Sequence, residues 1–131
     1  MPTVTPPWSY TLQLPHDLRA PGIARVTLRT VLAAHDLAQL TPTAELLAAE
    51  LLANAHLHTV GPYALRLRSV EHGRLRVGVW DSDPRVPGVV RPAAADDEHG
   101  RGLQLVEACA ARWGASALGG TAGKVVWAEC G

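Results

Sequence analysis

Between residues 63 and 80 the chain alternates twice: Leu65 and Leu67 stand against Arg66 and Arg68, then Leu75, Val77 and Val79 against Arg76, with His72-Gly73 between the runs. A period of two, broken by a short glycine-containing turn, predicts an antiparallel hairpin with one wet face and one apolar face. The apolar face needs a cover, and the preceding segment supplies it. Ile23, Val26, Thr30 and Leu37 recur at spacings of three, four and seven, and Pro21 suits a first turn, so a helix is expected over 20–36. Thr41-Pro42 reads as an N-cap threonine before a proline at the first helical position, with Glu45 close behind, and predicts a second helix over 42–59. Gly61-Pro62 ends it.

The remaining segments complete the pattern. Residues 8–14 read as a strand with Tyr10, Leu12 and Leu14 on one face. Residues 81–99 hold three prolines and no periodicity, which marks a long loop of the kind usually given to function. From Gly102 a third helix is expected, with Leu103, Val106, Ala110 and Trp113 as its stripe and Gly114 as its stop. A last hairpin would pair 115–118 with 124–130. The order β-α-α-β-β-loop-α-β-β predicts an α/β fold, a two-layer sandwich with helices on one face of a mixed, mostly antiparallel sheet.

At 131 residues the chain fits one domain, expected over 8–131 behind a flexible tail over 1–7. Apolar runs are broken well before the roughly 18 residues that mark a membrane span, and the start of the chain lacks a basic, apolar leader. A soluble, cytoplasmic protein is expected. Twelve basic and twelve acidic residues leave no overall positive field, which disfavours direct nucleic-acid binding. Cys109 and Cys130 lack metal or disulfide spacing and read as buried free thiols.

Three features carry chemistry. Glu50, Asn54 and His58 lie four apart on the second helix and share one face. A solvated stripe explains them; so does a site in which the amide oxygen of Asn54 binds Mg²⁺ and Glu50 accepts a proton from a hydroxyl. Asp81 ends a strand where a loop begins. It suits a turn, and it equally suits acceptance of the amino group of adenine. Gly100-Arg101-Gly102-Leu103 opens a helix, where backbone N–H groups and the helix dipole favour phosphate; a hinge is the other reading.

Taken in order, these features resemble the GHKL ATPase superfamily and, within it, the stand-alone serine kinases that act as anti-sigma factors. Glu50-x-x-x-Asn54-Ala55-x-x-His58 resembles the N-box, Asp81 the acid opening the G1 box, Gly100-Arg101-Gly102-Leu103 the G2 box, and 123–129 the closing strand. The resemblance implies a Bergerat-type fold binding ATP and Mg²⁺. It implies Glu50 as general base, Asn54 as Mg²⁺ ligand, Asp81 as adenine reader, and Gly100, Arg101, Gly102 and Leu103 as phosphate contacts, with 85–99 as a lid. The function implied is an ATP-binding serine/threonine kinase acting as an anti-sigma factor in bacterial transcription regulation. Its partners would be a sigma factor or an antagonist protein, without nucleic acid or membrane, and a homodimer is compatible with it. Where the family's G1 box has glycines this chain has Asp83 and Arg85. That departure points to the alternative, an ATP-binding interaction module without phosphoryl transfer.

Overall fold

In the computed structural model the alternating runs form β2 (Tyr63–Val70) and β3 (Arg74–Asp81), with His72 and Gly73 in the turn at φ of 66° and 71°. Around this hairpin the chain forms β1 (Ser9–Leu14), α1 (Ala20–Ala34), a 3-10 turn (Ala38–Leu40), α2 (Thr41–His58), α3 (Glu98–Cys109), β4 (Arg112–Ala117) and β5 (Lys124–Cys130). The structure describes residues 6–85, 98–119 and 122–131, with the backbone alone over 98–103.

The topology corrects the expected Bergerat-type sandwich with its mixed sheet. The five strands lie in the order β1-β2-β3-β5-β4, and every neighbouring pair is antiparallel. What forms is a small antiparallel sheet accompanied by three helices. The reason lies in the connections. β1 reaches β2 through two helical passes, which return the chain in the opposite sense. The single-helix crossover through α3 links β3 to β4, two strands that run the same way, but β5 inserts between them. No parallel ladder can form across that insertion.

Register aligns the apolar positions. Leu65 faces Val79 and Val79 faces Val126, while Leu67, Val77 and Ala128 form the next row. These side chains join Leu28, Leu32, Leu47, Leu51 and Leu52 of α1 and α2 in one buried core. At about 25 cal/mol per Å² of apolar surface removed from water, this shared core is the main force holding helices to sheet.

Of the two thiols expected to be buried, Cys130 is and Cys109 is exposed. Local expectations fail in three further places, each for a tertiary reason. On α1 the buried face is Ala20, Ala24, Leu28, Val31 and Leu32, whereas Ile23 and Val26 are more than half exposed. Small alanines let the helix lie close to its neighbours and turn the larger residues outward. Thr41 supplies no side-chain cap to α2, because the 3-10 turn leads straight into that helix and leaves Leu40 at the capping position. The third helix starts at Glu98 and ends by Cys109, and Trp113 and Gly114 belong to β4. Gly114 is a close-approach glycine: a Cβ there would stand 2.7 Å from Cζ2 of Trp127 on the paired strand.

α2 packs against α1, β3 and α3. It therefore sits where the chemical motifs meet.

Candidate functional site

α2 is an almost uninterrupted series of helix formers, and Leu47, Ala48, Leu51, Leu52 and Ala55 face the core. Asn54 lies on this inward side at 9% exposure, while Glu50, one turn earlier, is half-buried. No described residue hydrogen-bonds either side chain. Among the described residues the sole enclosed polar atom without a partner is Oε1 of Glu129, so the amide of Asn54 keeps contact with water. A largely buried amide with an unpartnered carboxylate one turn away is uncommon, since buried polar groups are normally satisfied within the protein. His58 is exposed and has interaction partners of its own.

Asp81 is in a different situation. It ends β3 at 1% exposure, and the ammonium of Lys124, itself 2% exposed, donates to its Oδ1 at 2.9 Å. The backbone N–H of Asp83 donates to the same oxygen at 2.8 Å, and Lys124 Nζ also donates to the carbonyl of Asp83 at 3.1 Å. The turn after β3 is thereby folded back on the first residue of β5. Gly123 makes this approach feasible: at φ 88°, a Cβ there would lie 2.1 Å from the carbonyl oxygen of Asp81. Trp80 fixes the same corner by donating from Nε1 to the carbonyl of Ala122 at 2.9 Å.

The end of α2 is tied to the end of β3. The hydroxyls of Thr59 and Ser82 share a hydrogen bond of 2.8 Å, and the N–H of Gly61 donates to Thr59 Oγ1. α2 and the strand bearing Asp81 are thus held to each other beyond their apolar contact. Beside this junction the rings of His16 and His56 stack at 3.8 Å, and His56 Nδ1 shares a hydrogen bond with the hydroxyl of Tyr63. Burial pushes the Tyr63 phenol above its ordinary value, with the Asp17 carboxylate acting in the same direction.

Asp83 and Arg85, in the turn after β3, bind one another. Arg85 Nη2 donates to Asp83 Oδ2 at 2.9 Å, and the backbone N–H of Arg85 donates to Oδ1 at 3.0 Å. Side-chain and backbone bonds from Arg85 hold the Asp83 carboxyl well below the usual carboxylate range, with smaller help from Lys124. This loop is stiffened by its own side chains.

Gly100, Arg101, Gly102 and Leu103 lie in the first turns of α3 rather than ahead of it. The first four N–H groups of a helix lack intrahelical partners, so Gly100 and Arg101 belong to that donor set and Gly102 follows it. The expected lid over 85–99 falls outside the described residues for all of 86–97. Among the described residues, a cleft of about 350 Å³ lies between α1 and α2, lined by Pro21, Arg25, Leu28, Glu45, Ala48 and Leu52. Glu50, Asn54 and Asp81 are not part of its wall.

Lys124 escaped the sequence reading. Its signal was available, since it is the single lysine among twelve basic residues. An ammonium is a compact point charge that fits a closed corner where a planar guanidinium would not.

No protein-family model matches the chain. An uncharacterized protein of Streptomyces coelicolor is 49% identical over 59 residues, which is 44% of this chain and 56% of that protein. The chain therefore spans little more than half the length of this relative. Among the described residues no helix is long and apolar enough to cross a membrane.

Proposed function

We propose that this protein is an ATP-binding regulatory protein of the cytoplasm that works as an anti-sigma factor, exchanging a sigma factor for an antagonist protein according to bound nucleotide. The observation that carries this reading is Asn54: an amide nine-tenths buried on α2, unpartnered by any described residue, with the free carboxylate of Glu50 one turn away. Both offer hard oxygen atoms, which suits Mg²⁺. Among the described residues no three His, Cys, Asp or Glu side chains converge as a metal site.

In this reading Asn54 holds Mg²⁺, which when bound supplies neutralisation of phosphate charge. The free N–H groups at the start of α3 receive phosphate oxygens. Asp81 accepts from the adenine amino group. Glu50 would accept the proton of an incoming serine or threonine hydroxyl as that hydroxyl oxygen bonds to the γ-phosphorus of ATP and ADP departs, which is the reaction of a protein kinase.

A second reading, nucleotide binding without phosphoryl transfer, is favoured by the Asp83–Arg85 pair, which stiffens the loop that follows the adenine reader. Calorimetry with ATP and Mg²⁺ tests the shared part. Saturable binding that is lost in Asn54→Ala is expected, and absence of heat with the wild-type protein would overturn both readings. Labelled ATP with the partner protein then separates them. Transfer that falls about 10²–10⁴-fold in Glu50→Ala, while ATP binding stays within about tenfold, identifies the kinase.

A further inference from the structure

We infer that the open face of the sheet docks an acidic segment of a partner protein, with the guanidinium groups of Arg66 and Arg68 taking its carboxylates. The inference stands apart from the nucleotide-binding reading, because neither residue belongs to the three motifs.

The strand period of two gathers the charge. Leu65, Leu67, Leu75, Val77, Val126 and Ala128 enter the core, so their alternate neighbours project from the other face. α1, α2 and Val106 of α3 share that same core, so the described helices cover one side of the sheet and leave the other open. On the open side stand Arg66 and Arg68 of β2, Arg74 and Arg76 of β3, and Arg112 of β4, which lies across Glu129 from Arg76. Among the described strand residues the one acid on this side is Glu129, 1% exposed and ion-paired with Arg76. A chain with twelve basic and twelve acidic residues thus keeps a strong positive excess on one surface.

Stability does not account for this arrangement. Arg68 stands directly opposite Arg76, and like charges so placed weaken a ladder. Arg66 and Arg68 are exposed, and no described residue shares a hydrogen bond or ion pair with either. Their planar forks match carboxylates in bidentate fashion. Two residues apart on one strand, they are separated by about 7 Å, the same step as alternate side chains of an extended peptide. Arg112, 62% exposed, extends the positive field towards the far edge of the sheet.

A single-stranded nucleic acid would also need free aromatic faces on which to stack its bases. The aromatic residues of this face are Trp80 and Trp127, both half-buried. Arg76 covers the ring of Trp127 at 3.9 Å, and Trp80 is tied through Nε1 to the carbonyl of Ala122. With charge on offer and the aromatic rings engaged, carboxylates are the better match.

Fluorescence anisotropy with labelled probes tests the assignment. A peptide of alternating glutamate and serine is expected to bind the wild-type protein, and the same peptide with glutamine for glutamate is not. Arg66→Glu combined with Arg68→Glu should weaken the acidic peptide about tenfold or more, since each change replaces an attracting charge by a repelling one. Arg19→Glu combined with Arg25→Glu makes the same change of net charge on α1 and should leave binding within about twofold. An equal loss in both variants would reduce the effect to net charge and overturn the inference, as would absence of binding by the wild-type protein. Tighter binding of single-stranded oligothymidylate than of the peptide would make the occupant a nucleic acid and overturn it as well. Should a thermal melt show the charge-reversed protein unfolded, Arg66→Gln combined with Arg68→Gln decides, with a loss of about threefold or more expected.

Discussion

Two carboxylates are buried in the sheet to the same degree, Asp81 and Glu129, each at 1% exposure, and their surroundings are opposite in kind. Asp81 lies at one rim against Lys124, a cation as buried as itself. Glu129 lies towards the other end of the sheet, on the opposite face, beneath Arg76 and Arg112, whose side chains are 26% and 62% exposed. Arg76 also lies over the ring of Trp127 at 3.9 Å, so the guanidinium is both ion partner and lid for the aromatic ring. The Glu129 cluster spends its charges on packing and leaves Oε1 enclosed, with Arg112 4.0 Å away. In the Asp81 pair the ammonium of Lys124 reaches both the carboxylate of Asp81 and the carbonyl of Asp83. Equal burial thus hides two uses of charge: at Glu129 it seals a surface, and at Asp81 it pins the turn after β3 to the start of β5.

Asp81→Ala should test that contrast with the largest effect. Removing one partner of an enclosed ion pair leaves Lys124 uncompensated, and a loss of about 3–5 kcal/mol is expected in urea denaturation. If the loss is under about 1 kcal/mol, water reaches the corner freely and the contrast with Glu129 disappears. Gly114→Ala should cost about 1–3 kcal/mol, because the added methyl meets the ring of Trp127 that Arg76 holds from above. A neutral outcome in the same assay would mean that the Arg–Trp cluster yields easily and is not a packed seal. Glu129→Gln comes next, at about 1 kcal/mol, since the amide keeps an acceptor for Arg76 and both arginines reach water. A cost as large as that of Asp81→Ala would make the two carboxylates equivalent.

The smallest effect concerns Cys130, which lies on the core face of the strand that carries Glu129. Burial pushes its thiol up from the ordinary range. The thiol of the unfolded chain therefore ionises first as pH rises, so the stabilisation is complete below about pH 8.5 and is lost progressively above it. Denaturation midpoints at neutral and alkaline pH should diverge less in Cys130→Ala than in the wild-type protein. The raised phenol of Tyr63 supplies the part that persists. An identical divergence in both proteins would show that water enters the core face beside Glu129.

Much of the local structure was legible because it is written in short periods. Leu65 and Leu67 against their arginines, and Leu75, Val77 and Val79 against Arg76, determined β2, β3 and the sidedness of the hairpin. The last strand was read over 124–130, the bounds it has in the structure. Pro21 and Pro42 marked helix starts to within a residue or two. Asn54 and Glu50 were legible as a helical pair, since a spacing of four is a property of the helix itself. The buried side of α1 was not, because Ala24 and Leu28 compete with Ile23 and Val26 for the core, and only the neighbouring surfaces settle that competition. Nor was the start of β4, where Trp113 continues a helical stripe in sequence and Gly114 reads as its stop, but both are drawn into the sheet by Ala128 and Trp127 opposite them.

The sequence by itself determined β2, β3, β5 and the starts of the first two helices, and which side of the hairpin is apolar, because those properties depend on residues a few positions apart. Tertiary structure alone decided that no parallel ladder joins β3 to β4, since β5 enters between them. The same insertion decided the fate of Asp81. It brings Lys124, 43 residues away in the chain, directly opposite that carboxylate, a pairing that depends on strand order and carries no signal in local periodicity.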